Sequence, residues 1–222
     1  MILNGAGVVI GGAIDASRRL AERLSAPVCC GYQHNDAFPG SHPLAAGPLG
    51  YNGSKAAMEL IAKADVVLAL GTRLNPFSTL PSYGIDYWPR GAKLIQVDIN
   101  SDRIGLTKKV AVGIQGDARL VAEQILSQLG EKAGEAGRAE REALVHRTRS
   151  AWLQQLSSIY LEMEQNDKAI ALLEKLRAAG PANSGHEQLG CTQCHTPADG
   201  TIRQQVQANT RHLLGLRQAG AD

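Results

Sequence analysis

Glycines near the amino terminus and one aspartate have types and spacing that could bind a nucleotide. The run Gly5-Ala6-Gly7-Val8-Val9-Ile10-Gly11 has one residue too many for the G-x-G-x-x-G pattern of dinucleotide sites. In a phosphate site, Gly5 and Gly7 would let amides at a helix N-terminus cradle the anion. Asp98, at the end of a predicted strand, would accept a ribose hydroxyl. The simpler alternatives are a tight strand-to-helix turn for the glycines, which we favour, and a turn cap for Asp98.

A second pattern, near the carboxyl terminus, contains two thiols and an imidazole. The run Cys191-Thr192-Gln193-Cys194-His195 matches C-x-x-C-H, the attachment sequence of c-type haem. Cys191 and Cys194 would form the thioethers, and His195 would bind the iron. A zinc site built from these three residues and His186 is a weaker alternative, and an unmetallated cysteine pair is the third. Haem is attached outside the cytoplasm, and no export signal is visible to support it.

The other histidines and cysteines predict no reactive site. His34 and His42 lie in one glycine- and proline-rich loop, where we expect exposed side chains without partners. Cys29 and Cys30 lie in a predicted buried strand, where free cysteine behaves as a small hydrophobic residue. We therefore assign no catalytic residue.

Composition excludes several classes of protein. The 222 residues include 23 basic and 21 acidic side chains. A net charge of +2 predicts no strong positive electrostatic field that would attract nucleic acid. No uninterrupted apolar run approaches the roughly 18 residues of a membrane span, and no secretory signal is visible. Four cysteines are too few for a disulfide scaffold. We expect a cytoplasmic globular protein with neither nucleic-acid nor membrane partners.

Short apolar runs alternate with amphipathic segments in the first part of the chain. The predicted strands are 2–10, which breaks at its glycines, 27–31, 66–70, 93–99 and 110–114. The predicted helices are 13–24, 54–64 with Ser54 as its N-cap, and one that starts at Asp117 with Leu120 and Val121 facing inward. A long loop is expected over 32–53. Continuous apolar strands separated by helices predict an α/β fold with a doubly wound, mostly parallel, Rossmann-like sheet covered on both faces.

The tail differs in character from this domain. We divide the chain into an α/β domain at 1–130, a polar linker and helix at 131–155, a helix pair at 156–181, and the C-x-x-C-H segment with a terminal helix at 182–222. Five residues of the helix pair have spacings that resemble one tetratricopeptide repeat: Leu156, Tyr160, Ala169, Leu173 and Pro181. Two helices, at about 152–164 and 167–178, are expected there, which makes the tail α-helical.

Several whole loops resemble one enzyme family. The segments 4–7, 42–50, 64–73, 96–100 and 116–117 occur in the order typical of the central domain of thiamine-diphosphate-dependent enzymes of the acetolactate-synthase and pyruvate-oxidase type. More narrowly, the segments 31–39, 75–77 and 83–89 resemble sulfoacetaldehyde acetyltransferases. The likeness extends from residue 1 to about residue 158.

The resemblance implies acyl transfer. In this family sulfoacetaldehyde and phosphate give acetyl phosphate and sulfite, with thiamine diphosphate and Mg²⁺ as cofactors, and the enzymes are homo-oligomers of three-domain chains. Their other two domains hold the cofactor, partly through a Gly-Asp-Gly…Asn motif. Here Gly116-Asp117 is followed by Ala118, so no residue can be assigned to thiamine or metal.

Two functional hypotheses follow. The first is a middle-domain fragment or fusion product of a thiamine-diphosphate-dependent acetyltransferase, a scaffold that needs the thiamine-binding domains and is inactive alone. The second is a small haem or metal-binding electron-transfer protein that uses Cys191, Cys194 and His195.

Overall fold

The computed structural model describes residues 1–163 and 165–179, which belong to two compact units, Met1–Thr148 and Arg149–Asp222. The strands of the described part are β1 (Ile2–Asn4), β2 (Val28–Cys30), β3 (Ala45–Pro48), β4 (Val66–Leu70), β5 (Lys93–Asp98) and β6 (Val112–Gln115). Its helices are α1 (Ala6–Ile10), α2 (Ile14–Leu24), α3 (Lys55–Ala62), α4 (Pro76–Thr79), α5 (Ala118–Gln128), α6 (Arg138–Glu162) and α7 (Asn166–Ala179). Short 3-10 turns occur at Asn35–Ala37 and Ser101–Arg103.

The six strands form one sheet in which every pair of neighbours is parallel. Their order is β3-β2-β1-β4-β5-β6. The chain begins in the middle, winds outward to β3, returns to the centre and winds outward in the other direction to β6. This confirms the predicted doubly wound α/β fold, and it has the strand order of dinucleotide-binding sheets. All six strands end at the same edge, which we call the carboxyl edge.

Helices cover both faces of the sheet. Successive side chains of a strand point to opposite faces, so Val67 and Ala69 of β4 pack in the core beneath α3, whereas Leu68 and Leu70 pack in the core beneath α2 and α5. Fully burying one such leucine or valine stabilises the fold by about 1.5–3 kcal/mol. Coverage of both faces is the reason why the central strands are continuous apolar runs rather than alternating ones.

The first predicted strand is confirmed at Ile2–Asn4, which form β1, and is wrong at residues 8–10, which belong to helix α1. Val8 is fully buried, whereas Ile10 is 85% exposed, as expected when a helical turn directs neighbouring side chains to different sides. The β-branched run favours a strand by propensity. However, β1 has already reached the carboxyl edge at Asn4, and the chain must turn back there.

The other differences lie outside the two central strands. Strand β3 lies inside the predicted loop 32–53, since its composition, Ala-Ala-Gly-Pro, is poor in strand-forming residues, and an edge strand tolerates proline. Strand β6 begins two residues later than predicted. Leu120, predicted to face inward, is 59% exposed, because α5 turns Val121 and Ala122 to the core. The predictions of helices α2 and α3 are confirmed. The Ser54 hydroxyl accepts a hydrogen bond from the Ala57 amide at 3.4 Å, as an N-cap does.

The second unit contains a packed helix pair in its described part. Ala169 of α7 is fully buried, and Tyr160, Ile170 and Leu173 pack around it. The Ser157 hydroxyl donates to the Ala169 carbonyl at 3.4 Å. Helix α7 lies where the second helix is predicted, whereas the first predicted helix is only the end of α6, which begins at Arg138 rather than near residue 152. The tetratricopeptide identity stays a prediction.

Helix α6 is the longest of the described helices, at 25 residues. Neither it nor any other helix in residues 1–163 and 165–179 is long and apolar enough to span a membrane.

Candidate functional site at the carboxyl edge of the sheet

The reversal of winding direction places the ends of β1 and β4 side by side. In open α/β sheets, ligands bind in the crevice that opens at such a point. Here the crevice is filled by backbone. The Gly5 amide donates to the Leu70 carbonyl at 3.0 Å, and the Gly7 amide donates to the Gly71 carbonyl at 2.8 Å. The loop after β1 therefore rests directly on the loop after β4.

Glycine is required at this contact because the two backbones approach too closely for a side chain. A Cβ on Gly7 would lie 2.7 Å from the Gly71 Cα, and a Cβ on Gly5 would meet the Thr72 side chain. Gly71 also has φ +59°, a left-handed conformation that favours glycine. The amides that a phosphate would need are bound to protein carbonyls, so the geometry favours the tight-turn interpretation of Gly5 and Gly7.

Asp98 lies half-buried at the end of β5, and its carboxylate accepts a hydrogen bond from the backbone of the turn that follows. Its Oδ1 accepts the Asn100 amide at 2.9 Å, and the Asn100 Oδ1 accepts the Asp102 amide at 2.9 Å. Two consecutive side-chain turns of this kind fix the loop after β5. Binding of a ribose hydroxyl by Asp98 stays a prediction.

Two buried amide side chains fasten the loops of this edge, and the sequence reasoning missed both. The Asn4 Nδ2 donates to the Ser17 hydroxyl at 2.8 Å and to the Ala37 carbonyl at 2.9 Å. The Gln96 Nε2 donates to the Thr72 and Arg103 carbonyls at 3.2 and 3.1 Å. Both side chains are at most 1% exposed. In the sequence, Asn4 and Gln96 are each a polar residue inside an otherwise apolar strand. Such a residue must find hydrogen-bond partners once it is buried, and this pattern could have marked both.

Three aromatic rings, which we call the aromatic cluster, gather at the same edge. They are Tyr32, Tyr51 and Phe77, from the segments that follow β2, β3 and β4. Tyr32 stacks on Phe77 with ring centroids 5.6 Å apart, and Tyr51 meets both rings edge-on at 6.1 and 6.5 Å. Tyr51 and Phe77 are nevertheless each 58% exposed. Sequence reasoning missed this cluster as well, because its members come from two loops and helix α4, which are far apart in the sequence.

Backbone contacts hold the aromatic cluster in place. The Tyr51 amide donates to the Phe77 carbonyl at 2.7 Å, and the Tyr32 amide donates to the Ser78 hydroxyl at 2.9 Å. A Cβ on Gly50, at φ +94°, would collide with the Phe77 carbonyl. Beneath them, the buried Tyr87 hydroxyl donates to the Ser78 carbonyl at 3.1 Å. The loops that carry Tyr32 and Tyr51 are therefore both hydrogen-bonded to α4, which carries Phe77.

The expectation of an exposed, unpartnered His42 is wrong. Its side chain is only 16% exposed. The His42 Nε2 lies 3.1 Å from a Glu22 carboxylate oxygen, and its Nδ1 accepts the Leu44 amide at 3.1 Å. Burial acts against the Glu22 charge, but hydrogen bonds from Arg18 and His42 hold the Glu22 pKa below its ordinary value. His42 thus joins the loop before β3 to helix α2.

The two adjacent cysteines of β2 are buried free thiols, as predicted. Burial raises the pKa of the Cys30 thiol to about 11 and raises that of Cys29 further. Because the thiolate is the reactive form, both side chains are inert near neutral pH.

The described residues do not fit thiamine diphosphate or its metal. The Asp117 Oδ1 accepts the Arg119 and Leu120 amides at 2.9 and 3.1 Å, so the Gly116-Asp117 pair serves as the N-cap of α5. Within residues 1–163 and 165–179, no group of three or more His, Cys, Asp or Glu side chains is placed to hold a metal ion. Cys191, Cys194 and His195 lie outside the described residues, so haem or zinc binding there stays a prediction.

Comparison with known proteins gives a consistent family. Residues 1–125 match the model for the central domain of thiamine pyrophosphate enzymes. A protein of Rhizobium meliloti (strain 1021), named a probable sulfoacetaldehyde acetyltransferase, is 79% identical over 72% of this chain and 27% of its own length. The sulfoacetaldehyde acetyltransferase of Roseovarius nubinhibens is 68% identical over 82% of this chain and 30% of its own length.

A solved structure, described as that of a candidate thiamin diphosphate-dependent enzyme from Mycobacterium smegmatis, is 29% identical over 59% of this chain and 25% of its own chain, with a TM-score of 0.48. The present chain spans about three tenths of the length of the curated acetyltransferases that it matches. The family match covers the whole six-stranded sheet and most of α5. The chain belongs to the thiamine pyrophosphate enzyme family and contains its central domain.

Proposed function

We propose that the first unit serves as the central domain of a sulfoacetaldehyde acetyltransferase. The observation that supports this most strongly is the 79% identity to the R. meliloti protein over 159 residues. The identity to relatives named acetolactate synthase is only 39% or less over comparable lengths. Similarity to the acetyltransferases is thus far greater than similarity to the wider family.

The proposed role of this domain is to position the catalytic parts of the enzyme rather than to supply reacting groups. The polar side chains described at the carboxyl edge are engaged in fixing its loops: Asn4, Gln96, Asp98 and Asn100 all hydrogen-bond to backbone atoms. The two glycine amides at the crevice between β1 and β4 are bound to carbonyls. A rigid edge of this kind suits a scaffold, because catalytic groups held on it keep their mutual geometry.

The proposed reaction converts sulfoacetaldehyde and phosphate to acetyl phosphate and sulfite. We place thiamine diphosphate and Mg²⁺ in other parts of the assembled enzyme, because Asp117 caps α5 and no group of three or more His, Cys, Asp or Glu side chains in residues 1–163 and 165–179 is placed to hold a metal ion. This chain alone is therefore expected to be inactive even with both cofactors added. Assembly into a homo-oligomer with the thiamine-binding domains is part of the proposal.

A chimeric enzyme tests the proposal. The stretch of the R. nubinhibens acetyltransferase that aligns with this chain is replaced by this chain's own residues, and sulfite release from sulfoacetaldehyde is measured with phosphate, thiamine diphosphate and Mg²⁺. The chimera is expected to retain activity within about tenfold of the parent, because the two stretches are 68% identical. A folded chimera that releases no sulfite would exclude the proposed role, and turnover by this chain alone would exclude the scaffold interpretation.

A further inference from the structure

The amino group of Lys108 is held against an aromatic ring. Its Nζ lies 4.9 Å from the centroid of the Trp88 ring. Lys108 and Lys55 are half-buried, whereas the other lysines of residues 1–163 and 165–179 are exposed. Within the same residues, no hydrogen bond or ion pair engages the Lys108 amino group. The ring therefore shields one side of the amine, and a reagent from solvent reaches it from the other.

The backbone fixes both partners of this contact. The Thr107 hydroxyl donates to the Leu74 carbonyl at 2.9 Å. The Ala111 amide donates to a carbonyl of β5 at 2.8 Å. The short segment that carries Lys108 is thus tied at both ends to the central part of the sheet. Trp88 packs against the core that lies beneath α3, so the ring also has a defined position.

Two charged residues act on the Lys108 amine. The Arg90 Nη2 donates to the Asp86 Oδ2 at 2.7 Å, and the Arg90 side chain is 83% exposed. Burial lowers the pKa of Lys108, the Asp86 carboxylate raises it, the Arg90 guanidinium lowers it, and the net direction is downward. A lysine amine that is desolvated and within range of another cation is an activated nucleophile, because more of it is neutral at a given pH.

The proposed reaction makes a reagent for such an amine. Acetyl phosphate is an acyl phosphate, and its carbonyl carbon is attacked by neutral amines. The amine nitrogen forms an amide bond to the acetyl carbon, and the bond between that carbon and the bridging oxygen breaks. Phosphate leaves with the electron pair of that bond, and the proton of the amine passes to phosphate or water. The anionic donor is attracted by the exposed positive charge of Arg90.

We propose that Lys108 is a modification site at which acetyl phosphate transfers its acetyl group to the side-chain amine. This inference rests on the proposed function, which supplies the donor as the product of the enzyme. Acetylation removes the positive charge of a lysine, so the attraction between the Lys108 ammonium and the Trp88 ring is lost. Accumulation of the product thereby changes the structure around Trp88.

Acetyl phosphate itself is the probe. The full chain is treated with it at mildly alkaline pH to low occupancy, and tandem mass spectrometry of chymotryptic peptides gives the rate at each lysine. Two references are the exposed Lys109 and the half-buried Lys55, whose Nζ lies 5.5 Å from the Tyr83 ring centroid. Lys108 is expected to react about threefold faster than either. The three rates should converge in concentrated urea, and equal rates in the folded chain would overturn the proposal.

Substitution of Arg90 tests whether its charge contributes to the site. Arg90→Gln should lower the rate at Lys108 about threefold and leave the rate at Lys109 unchanged. Arg119→Gln, at an exposed position on α5, is the matched control and should change neither rate. Both variants should unfold at the urea concentration of the parent chain, which excludes a loss of fold. Equal rates at Lys108 in the two variants would contradict the site as described.

The fluorescence of Trp88 provides a second readout. In the Trp152→Phe variant, Trp88 is the remaining tryptophan of the chain. Its emission is expected to change with the same time course as the acetylation of Lys108, and to stay constant when Lys108→Arg is added. Constant emission during complete acetylation of Lys108 would contradict the loss of the contact with the ring.

Turnover supplies the donor in the last arm of the test. The chimera is given sulfoacetaldehyde and phosphate in place of acetyl phosphate, and the acetylation of Lys108 should rise with sulfite release and be absent without phosphate. Turnover without acetylation of Lys108 would overturn the proposal. If the chimera releases no sulfite, the proposed function fails, and the reaction with added acetyl phosphate still decides whether Lys108 is the site.

Discussion

The close contact between the loops after β1 and β4 predicts a specific effect of Gly71→Ala. A Cβ at this position would lie 2.8 Å from the Gly7 Cα and 2.9 Å from the Val8 amide nitrogen, and the backbone has φ +59°. The left-handed conformation costs roughly 1–2 kcal/mol with a side chain, and overpacking against backbone costs about 1–3 kcal/mol. The free energy of unfolding of the first unit should therefore fall by about 2–5 kcal/mol.

Two other glycines separate these contributions. Gly12 has φ +61° with nothing within 4 Å of a Cβ, so Gly12→Ala carries the conformational cost alone, about 1–2 kcal/mol. Gly91 has neither a positive φ nor a neighbour within 4 Å, and Gly91→Ala should change the stability by less than about 0.5 kcal/mol. The expected order of destabilisation is Gly71→Ala, then Gly12→Ala, then Gly91→Ala.

Native-state hydrogen exchange is the suitable assay, because the chain contains two compact units and a single melting curve would mix them. Amides inside β4, a central strand, exchange mainly through global opening of the first unit. A loss of 2–5 kcal/mol accelerates their exchange by about 30-fold to several thousand-fold. If Gly71→Ala accelerates exchange no more than Gly12→Ala, the close approach of the two loops contributes nothing and the reasoning about Gly5, Gly7 and Gly71 fails.

Three further predictions concern single side chains. Asp117→Ala should lower the free energy of unfolding by about 0.5–2 kcal/mol because it removes the N-cap of α5, while Asp117→Asn should lower it little. Equal losses of stability for both variants in chemical denaturation would exclude a capping role for Asp117. Burial raises the pKa of Cys30 to about 11 and that of Tyr87 to about 12, so the folded state favours their neutral forms. Stability should be complete below pH 9 and fall as the pH rises from 9 to 12. A urea midpoint of the first unit, followed by Trp88 fluorescence in the Trp152→Phe variant, that stays constant to pH 11 would disagree. His42→Asn keeps an acceptor for the Leu44 amide, so it should be less destabilising by urea unfolding than His42→Leu, and the reverse order would rule out that bond.

The central strands and their helices could be predicted from local sequence. The run Val66–Leu70 is continuously apolar, and the Ser54 cap marks the start of α3, so pattern and propensity agree there. Residues 8–10 and β3 could not be predicted in this way. Residues 8–10 have high β propensity, but the chain has already reached the edge of the sheet and turns into a helix there. Residues Ala45–Pro48 have low β propensity, and they form a strand because they pair with β2.

The candidate site was predictable in location but not in mechanism. Glycines at a strand end predict a phosphate site or a tight turn, and the sequence marked Gly5 and Gly7 for these two reasons rather than for a contact with another loop. Their partner, Gly71, is more than sixty residues away, and only the fold shows that it occupies the crevice. The aromatic cluster gave a weaker signal, since Tyr32 and Tyr51 each follow a glycine after a strand, and neither loop alone indicates that the rings meet.

The rate of sulfite release from sulfoacetaldehyde by the chimera with R. nubinhibens tests the central claim most directly. The claim is that residues 1–148 fold as the central domain of such an acetyltransferase and position its thiamine-binding parts. We expect a phosphate-dependent rate within about tenfold of that of the parent enzyme, together with no sulfite release by this chain alone. A soluble, folded chimera that binds thiamine diphosphate but releases no sulfite would contradict it.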